Sequence, residues 1–155
     1  MVKHIARVMA CLAALGCAVA YAADFRAVEK APTVMYDAPS QKARALFIYG
    51  AQTPLELISS IEGWCKVRDA QGSIGWLEQE ALGDRNYLQV RVARADVRAQ
   101  PSDSADLVFE AEQNVLLKLD EAATSPTNTL TPGWVRIRHD GGQNGYVRID
   151  RIFGL

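Results

Sequence analysis

The chain is poor in cysteine: three among 155 residues, at positions 11, 17 and 65. Cys11 and Cys17 fall in a stretch that reads as a leader, so Cys65 is left alone and an intramolecular disulfide is excluded. Each folding unit must then stand on packing alone, which small domains find hard. An excess of charge is also missing. Lys and Arg number 17 against 18 Asp and Glu, a net charge of −1. A protein that grips phosphate backbones carries a basic excess, so nucleic acid is not an expected partner. Histidine is scarce: His4 lies in the leader and His139 stands alone. One Cys and one His cannot build a four-ligand zinc site, and the acidic residues lack calcium-loop spacing. "HDGG" (139–142) has neither the Lys nor the following helix of a phosphate loop. No metal and no cofactor is expected.

Long hydrophobic runs are limited to one, "VMACLAALGCAVA" (8–20). It is shorter than the ~20 residues that cross a bilayer. Lys3, His4 and Arg7 precede it, and Ala20-Tyr21-Ala22 closes it as a small-x-small site. This is a secretory signal pattern with cleavage expected after Ala22. "ALGC" offers a lipoprotein alternative at Cys17, disfavoured because Ala14 stands where Leu is preferred and the apolar run continues. Without Lys3 and Arg7, 15 basic residues face 18 acidic ones, a net charge of −3. The expected product is periplasmic or secreted, with no integral membrane span after cleavage.

What is present is a repeat. Pro39 and Pro101 stand 62 apart, as do Phe25 and Tyr87, Val28 and Val90, and Met35 and Val97. Further on the offset is 70: Trp64 with Trp134, Gly72 with Gly142, Gly75 with Gly145, Trp76 with Tyr146, Leu82 with Ile152. The difference of 8 residues falls in "DEAATSPTNTLTPG" (120–133), a polar loop. The expected organisation is a leader (1–22) and two tandem domains, 23–84 and 87–155, joined by "GDRN" (83–86).

Each copy reads as all-β. "LELIS" (55–59) and "VLLKL" (115–119) are short apolar strands. "WCKVR" (64–68) and "WVRIR" (134–138) alternate in period two, then turn at "DAQG" and "HDGG" into "IGWLE" and "NGYVR". "LEQEAL" (77–82) reads as one 3₁₀-like turn. Alternation puts Cys65 and Val67, like Val135 and Ile137, on the core face. Gly75 and Gly145 are expected to allow a close approach or a bulge.

An Asp-Val-Arg strand ("DVRAQPS", 96–102), then G-W-x-[KR]-[VI]-R, then G-x-x-G-[WY]-[LV], resembles the bacterial SH3-like (SH3b) domains. The second copy matches better, because the first has "VMYDAPS" in place of the Val-Arg pair. The resemblance covers about Phe25 to Leu155. It implies two SH3-like small β-barrels, each five- or six-stranded and partly open. It also implies a place in the cell envelope, binding cell-wall material or protein partners, with no catalysis of its own.

The remaining chemistry is surface recognition. Trp64, Lys66 and Arg68, and in the second copy Trp134, Arg136 and Arg138, share the solvent-side face of their strands. Tyr36 and Tyr49 are nearby aromatics. Aromatic platforms with cations suit sugars bearing carboxylates, or an extended peptide. Trp76 and Tyr146, each between a Gly and a core residue, are expected to be structural. Cys65 with His139 is the one imaginable nucleophile–base pair, but a core-facing Cys and a His in the other copy's hairpin turn do not meet, and no catalytic residue is expected. The reading is a non-enzymatic exported module recognising peptidoglycan or another cell-wall component. The alternative is a protein-interaction scaffold for an envelope enzyme. The two barrels are expected to pack together, with the "IFGL" tail contributing.

Overall fold

A computed structural model describes residues 23–120, 131–139 and 141–155. The expected leader, with Cys17, and most of the lengthened loop lie outside the described residues. The described residues form two antiparallel sheets joined by turns, each closing over its own core.

The first sheet contains β1 (Asp24–Val28), β2 (Thr33–Tyr36), β3 (Ala45–Tyr49), β4 (Pro54–Ile61), β5 (Trp64–Arg68), β6 (Ile74–Glu78) and β7 (Leu82–Gly83). The second contains β8 (Tyr87–Val90), β9 (Arg94–Arg98), β10 (Leu107–Glu112), β11 (Leu116–Leu119), β12 (Trp134–Arg138), β13 (Asn144–Arg148) and β14 (Ile152–Phe153). Their orders correspond strand for strand: β3-β2-β6-β5-β4-β1-β7 and β10-β9-β13-β12-β11-β8-β14. Seven strands replace the expected five or six. The two-residue strands β7 and β14, which close on β1 and β8, are too short to show any periodicity. A 3₁₀ turn, Gln79–Ala81, precedes β7 where one was expected, and Ile149–Arg151 is its counterpart.

The alternation of β5 and β12 holds. Cys65 and Val67 are buried with Val28, Met35, Leu55 and Leu77. Val135 and Ile137 are buried with Leu88, Val90, Val97, Leu117 and Val147. The glycine after each distal turn permits the inner strands to close up. A Cβ on Gly75 would sit 2.5 Å from Met35 Cγ and 2.7 Å from the Tyr36 carbonyl oxygen; one on Gly145 would sit 2.5 Å from Val97 Cγ1.

The copies differ at the turn before β5. Strand β4 runs on to Ile61, which pairs with Trp64 across a two-residue turn. Glu62 (φ 44°) and Gly63 (φ 80°) both lie in the left-handed region, the requirement of a type I′ hairpin. This strand is longer than "LELIS" suggested. Its counterpart β11 stops at Leu119, and the inserted residues follow. Gly133 (φ 84°) restores the geometry just before β12.

The two units meet through the chain end. Phe25 and Phe153 pack edge to face, with centroids 5.1 Å apart. The Arg85 guanidinium in the linker donates to the Gly154 carbonyl. The Gln71 side-chain amide donates to Asn114 Oδ1 at 2.9 Å. Gly154 (φ 101°) leaves no space for a Cβ, which would fall 2.8 Å from Pro54 Cβ.

Candidate binding surfaces

The outer face of the first unit is built by register. Tyr36 on β2 pairs with Trp76 on β6, and Trp76 pairs with Lys66 on β5. Cross-strand partners share a face, so these side chains form one row. Trp64, two residues before Lys66, extends it; its ring meets Tyr36 edge to face, centroids 5.8 Å apart at 83°. Lys66 Nζ lies 5.8 Å from the Trp76 ring centroid, within cation–π range. Beyond Tyr36, Val34 pairs with Ile48 on the edge strand β3, and Ile48 is 72% exposed. The result is a continuous aromatic and aliphatic strip with one ammonium set into it.

Trp76 therefore lies at the centre of the strip, between Tyr36 and Lys66 in register. The signal was already in the alternation, since Gly75 and Leu77 point inward on either side of it. Arg68 stands at the far end, paired with Glu56 (3.5 Å), and lines a cleft of about 560 Å³ between the units. Tyr49 belongs to neither. Its hydroxyl donates to Asp69 Oδ2 at 2.8 Å, and its ring packs on the first core. Asp69 is buried and uses its other oxygen to accept from the Gln71 and Ser73 amides at 3.0 and 2.8 Å. Tyr49 is thus a strut that holds the distal turn. Burial first, then the hydrogen bond and charge of Asp69, hold its phenol far above the ordinary value.

The second unit presents different chemistry at equivalent places. Trp134 is not an open platform: it is 9% exposed, with the Arg148 guanidinium 5.8 Å above its ring. The cause is its cross-strand neighbour. Trp64 pairs with Glu78, whereas Trp134 pairs with Arg148, long enough to lie over the indole. Arg136 is held by Asp120 at 3.2 Å. Arg138 is exposed, between Lys118 and Asn144 in register. Where the first unit has Tyr36, Val34 and Ile48, the second has Arg98, Asp96 and Glu110. Cys65 is 4% exposed in the first core, with Ser60 Oγ 3.4 Å from its sulfur. His139 lies in the second unit's hairpin against Phe109, centroids 5.2 Å apart.

Two like-ordered sheets, each with a Gly-Trp hairpin and a closing 3₁₀ turn, bear on the family. Residues 29–84 match the family model of the bacterial SH3 domain. The SH3-domain match covers most of the first unit. No curated protein matches the chain. Among solved structures the chain is similar to NlpC2 from Trichomonas vaginalis, at 14% identity and a TM-score of 0.35, over 83% of this chain and 46% of that one. It is similar to NlpC1 from Trichomonas vaginalis at 17% identity and a TM-score of 0.34, over 83% and 44%. A third is an NlpC/P60 family protein from Bacillus cereus ATCC 10987, at 13% identity and a TM-score of 0.34, over 84% and 56%. The chain spans about half the length of these structures. Among the described residues, no helix is long and apolar enough to cross a membrane.

Proposed function

We propose that this chain is a non-enzymatic, exported binding module of the bacterial cell envelope that recognises peptidoglycan through the outer face of its first unit. One observation carries the reading: Tyr36, Trp64, Trp76 and Lys66 share one side-chain row on three adjacent strands. Flat aromatic surfaces pack on the apolar faces of sugar rings, and an ammonium pairs with lactyl or peptide carboxylates. The bacterial SH3 match supports an envelope setting, and the leader pattern supports export. The core position of Cys65 supports a role without catalysis.

Purified protein is incubated with insoluble cell wall and the bound fraction measured. Trp64→Ala and Trp76→Ala are expected to lose about tenfold in retention, the order of a lost stacking contact, with the circular dichroism spectrum unchanged. Arg138→Ala in the second unit is expected to bind as wild type. Wall binding unaffected by both Trp substitutions rejects the reading. A protein partner is the second reading, favoured by the exposed Ile48 beside Val34. It predicts no retention on the wall and a single co-purifying envelope protein that Ile48→Glu releases. An enzymatic role predicts wall turnover that Cys65→Ser abolishes; no turnover in either form is expected.

A further inference from the structure

A cavity of about 220 Å³ lies on the second unit, with Trp134 in its lining. Four guanidinium groups line it: Arg94 and Arg98 from β9, Arg148 from β13, and Arg151 from the 3₁₀ turn. None has a counterpart in the first unit. At the equivalent positions, by the offsets of 62 and 70, stand Pro32, Tyr36, Glu78 and Ala81. The arginines thus belong to this one site and not to the architecture.

Carboxylates already answer the four. Arg94 pairs with Glu110 at 3.6 Å, Arg98 with Asp96, and Arg151 with Asp150 at 3.7 Å. Arg148 contacts Asp150 through Nε (3.3 Å) and Asp103 through Nη1 (3.2 Å). Glu110, Asp96 and Asp150 sit on regular elements. Asp103 does not: it lies in the loop between β9 and β10, with its side chain 74% exposed. The first unit makes the same contact with inverted chemistry, Gln41 donating to Glu78. A solvated carboxylate on a loop is weakly held. Removing it would leave Arg148 Nη1 without its carboxylate and one unit of positive charge unmatched, beside the Trp134 ring.

We propose that this cavity is a receptor for the free α-carboxylate of a peptide, and that Asp103 occupies its place on Arg148 when no ligand is bound. The charge count favours a monoanion. Exchange of Asp103 for a ligand carboxylate leaves the site balanced, whereas a phosphate dianion brings a charge that no spare cation meets. The volume accommodates about one residue, and the rim of Trp134 provides an apolar contact for its side chain. The site lies apart from the aromatic row of the first unit, so the two stand or fall separately.

The test uses the 23–155 chain and ¹H–¹⁵N NMR of the Trp134 indole and the 94–106 amides. The probes are acetyl-Ala-Ala, its C-terminal amide, and inorganic phosphate. The free acid is expected to saturate, and the amide to bind about tenfold more weakly, the worth of a charge-assisted pair. Asp103→Asn is expected to tighten binding about threefold or more by removing the internal competitor, a gain that a merely destabilised variant would not show. Arg148→Gln, and the half-exposed Arg151→Gln as a second variant, are expected to weaken it about tenfold and threefold. Equal binding of acid and amide, an unchanged affinity in Asp103→Asn, or phosphate shifting the same resonances at equal concentration would each overturn the proposal. Acids ending in D-Ala and L-Ala separate the two sources, a wall peptide and a protein C-terminus.

Discussion

Tyr49 is the residue at which acidity and stability meet. Its phenol is neutral in the fold and donates to a buried carboxylate that itself caps the distal turn. A folded-state value raised above the unfolded value of ~10 adds stability that is fully present below pH ~10 and is lost as pH climbs toward the folded value. Thermal melts from pH 8 to 12 are expected to fall more steeply above ~10 for wild type than for Tyr49→Phe. At pH 7 the Phe variant is expected to be about 1–3 kcal/mol less stable, since Asp69 loses its hydroxyl donor. Identical pH profiles would remove the strut. The sequence did not separate this tyrosine from a binding residue. A register shift between Met35 and Tyr36 breaks the alternation of β2 with β3, and the Asp69 partner lies 20 residues away. The cover over Trp134 is hidden from the sequence for a related reason. Alternation says which way a side chain points, but not that an arginine on the next strand will lie over it.

At the scale of elements, the hairpins β5–β6 and β12–β13 were the most legible. Period-two alternation over five residues, ended by a glycine turn, has few other readings. Their glycines carry a cost that can be measured. Gly75→Ala and Gly145→Ala force a methyl into Met35 and Val97, and each is expected to lose about 1–3 kcal/mol in urea unfolding. Ordinary stability in both would mean that the strands separate at no cost. The turn before β5 predicts the opposite sign. Glu62 holds φ 44° without a glycine's freedom, so Glu62→Asn is expected to gain about 0.5 kcal/mol. The short strands β1, β7, β8 and β14 could not be assigned from pattern alone; tertiary pairing defines them. They are nevertheless the strands that wrap each sheet over its core.

For the whole molecule, the joint between the units is specific: an aromatic pair, an arginine on a backbone carbonyl, a glycine seated on Pro54 and the Gln71–Asn114 hydrogen bond. Gly154→Ala strains a left-handed backbone and meets Pro54, and Phe153→Ala removes the aromatic edge. Either is expected to turn a single unfolding transition into two and to broaden the small-angle scattering profile. One cooperative transition in both variants would show that the units are coupled elsewhere. The repeat, its offsets and the two-unit architecture could be read from spacing. The divergence between the two faces could not, because it depends on which side chains meet across strands.

The outer strands of the two sheets differ in one further respect. Strand β10 carries Glu110 and Glu112, while β3, "ALFIY", carries no charge and leaves Phe47 and Ile48 exposed. Unpaired backbone on an uncharged margin accepts another strand, and acidic side chains repel one. The molecule therefore presents one uncharged outer strand and one acidic one. A strand adding at β3 would meet no charge, whereas one approaching β10 would meet two carboxylates.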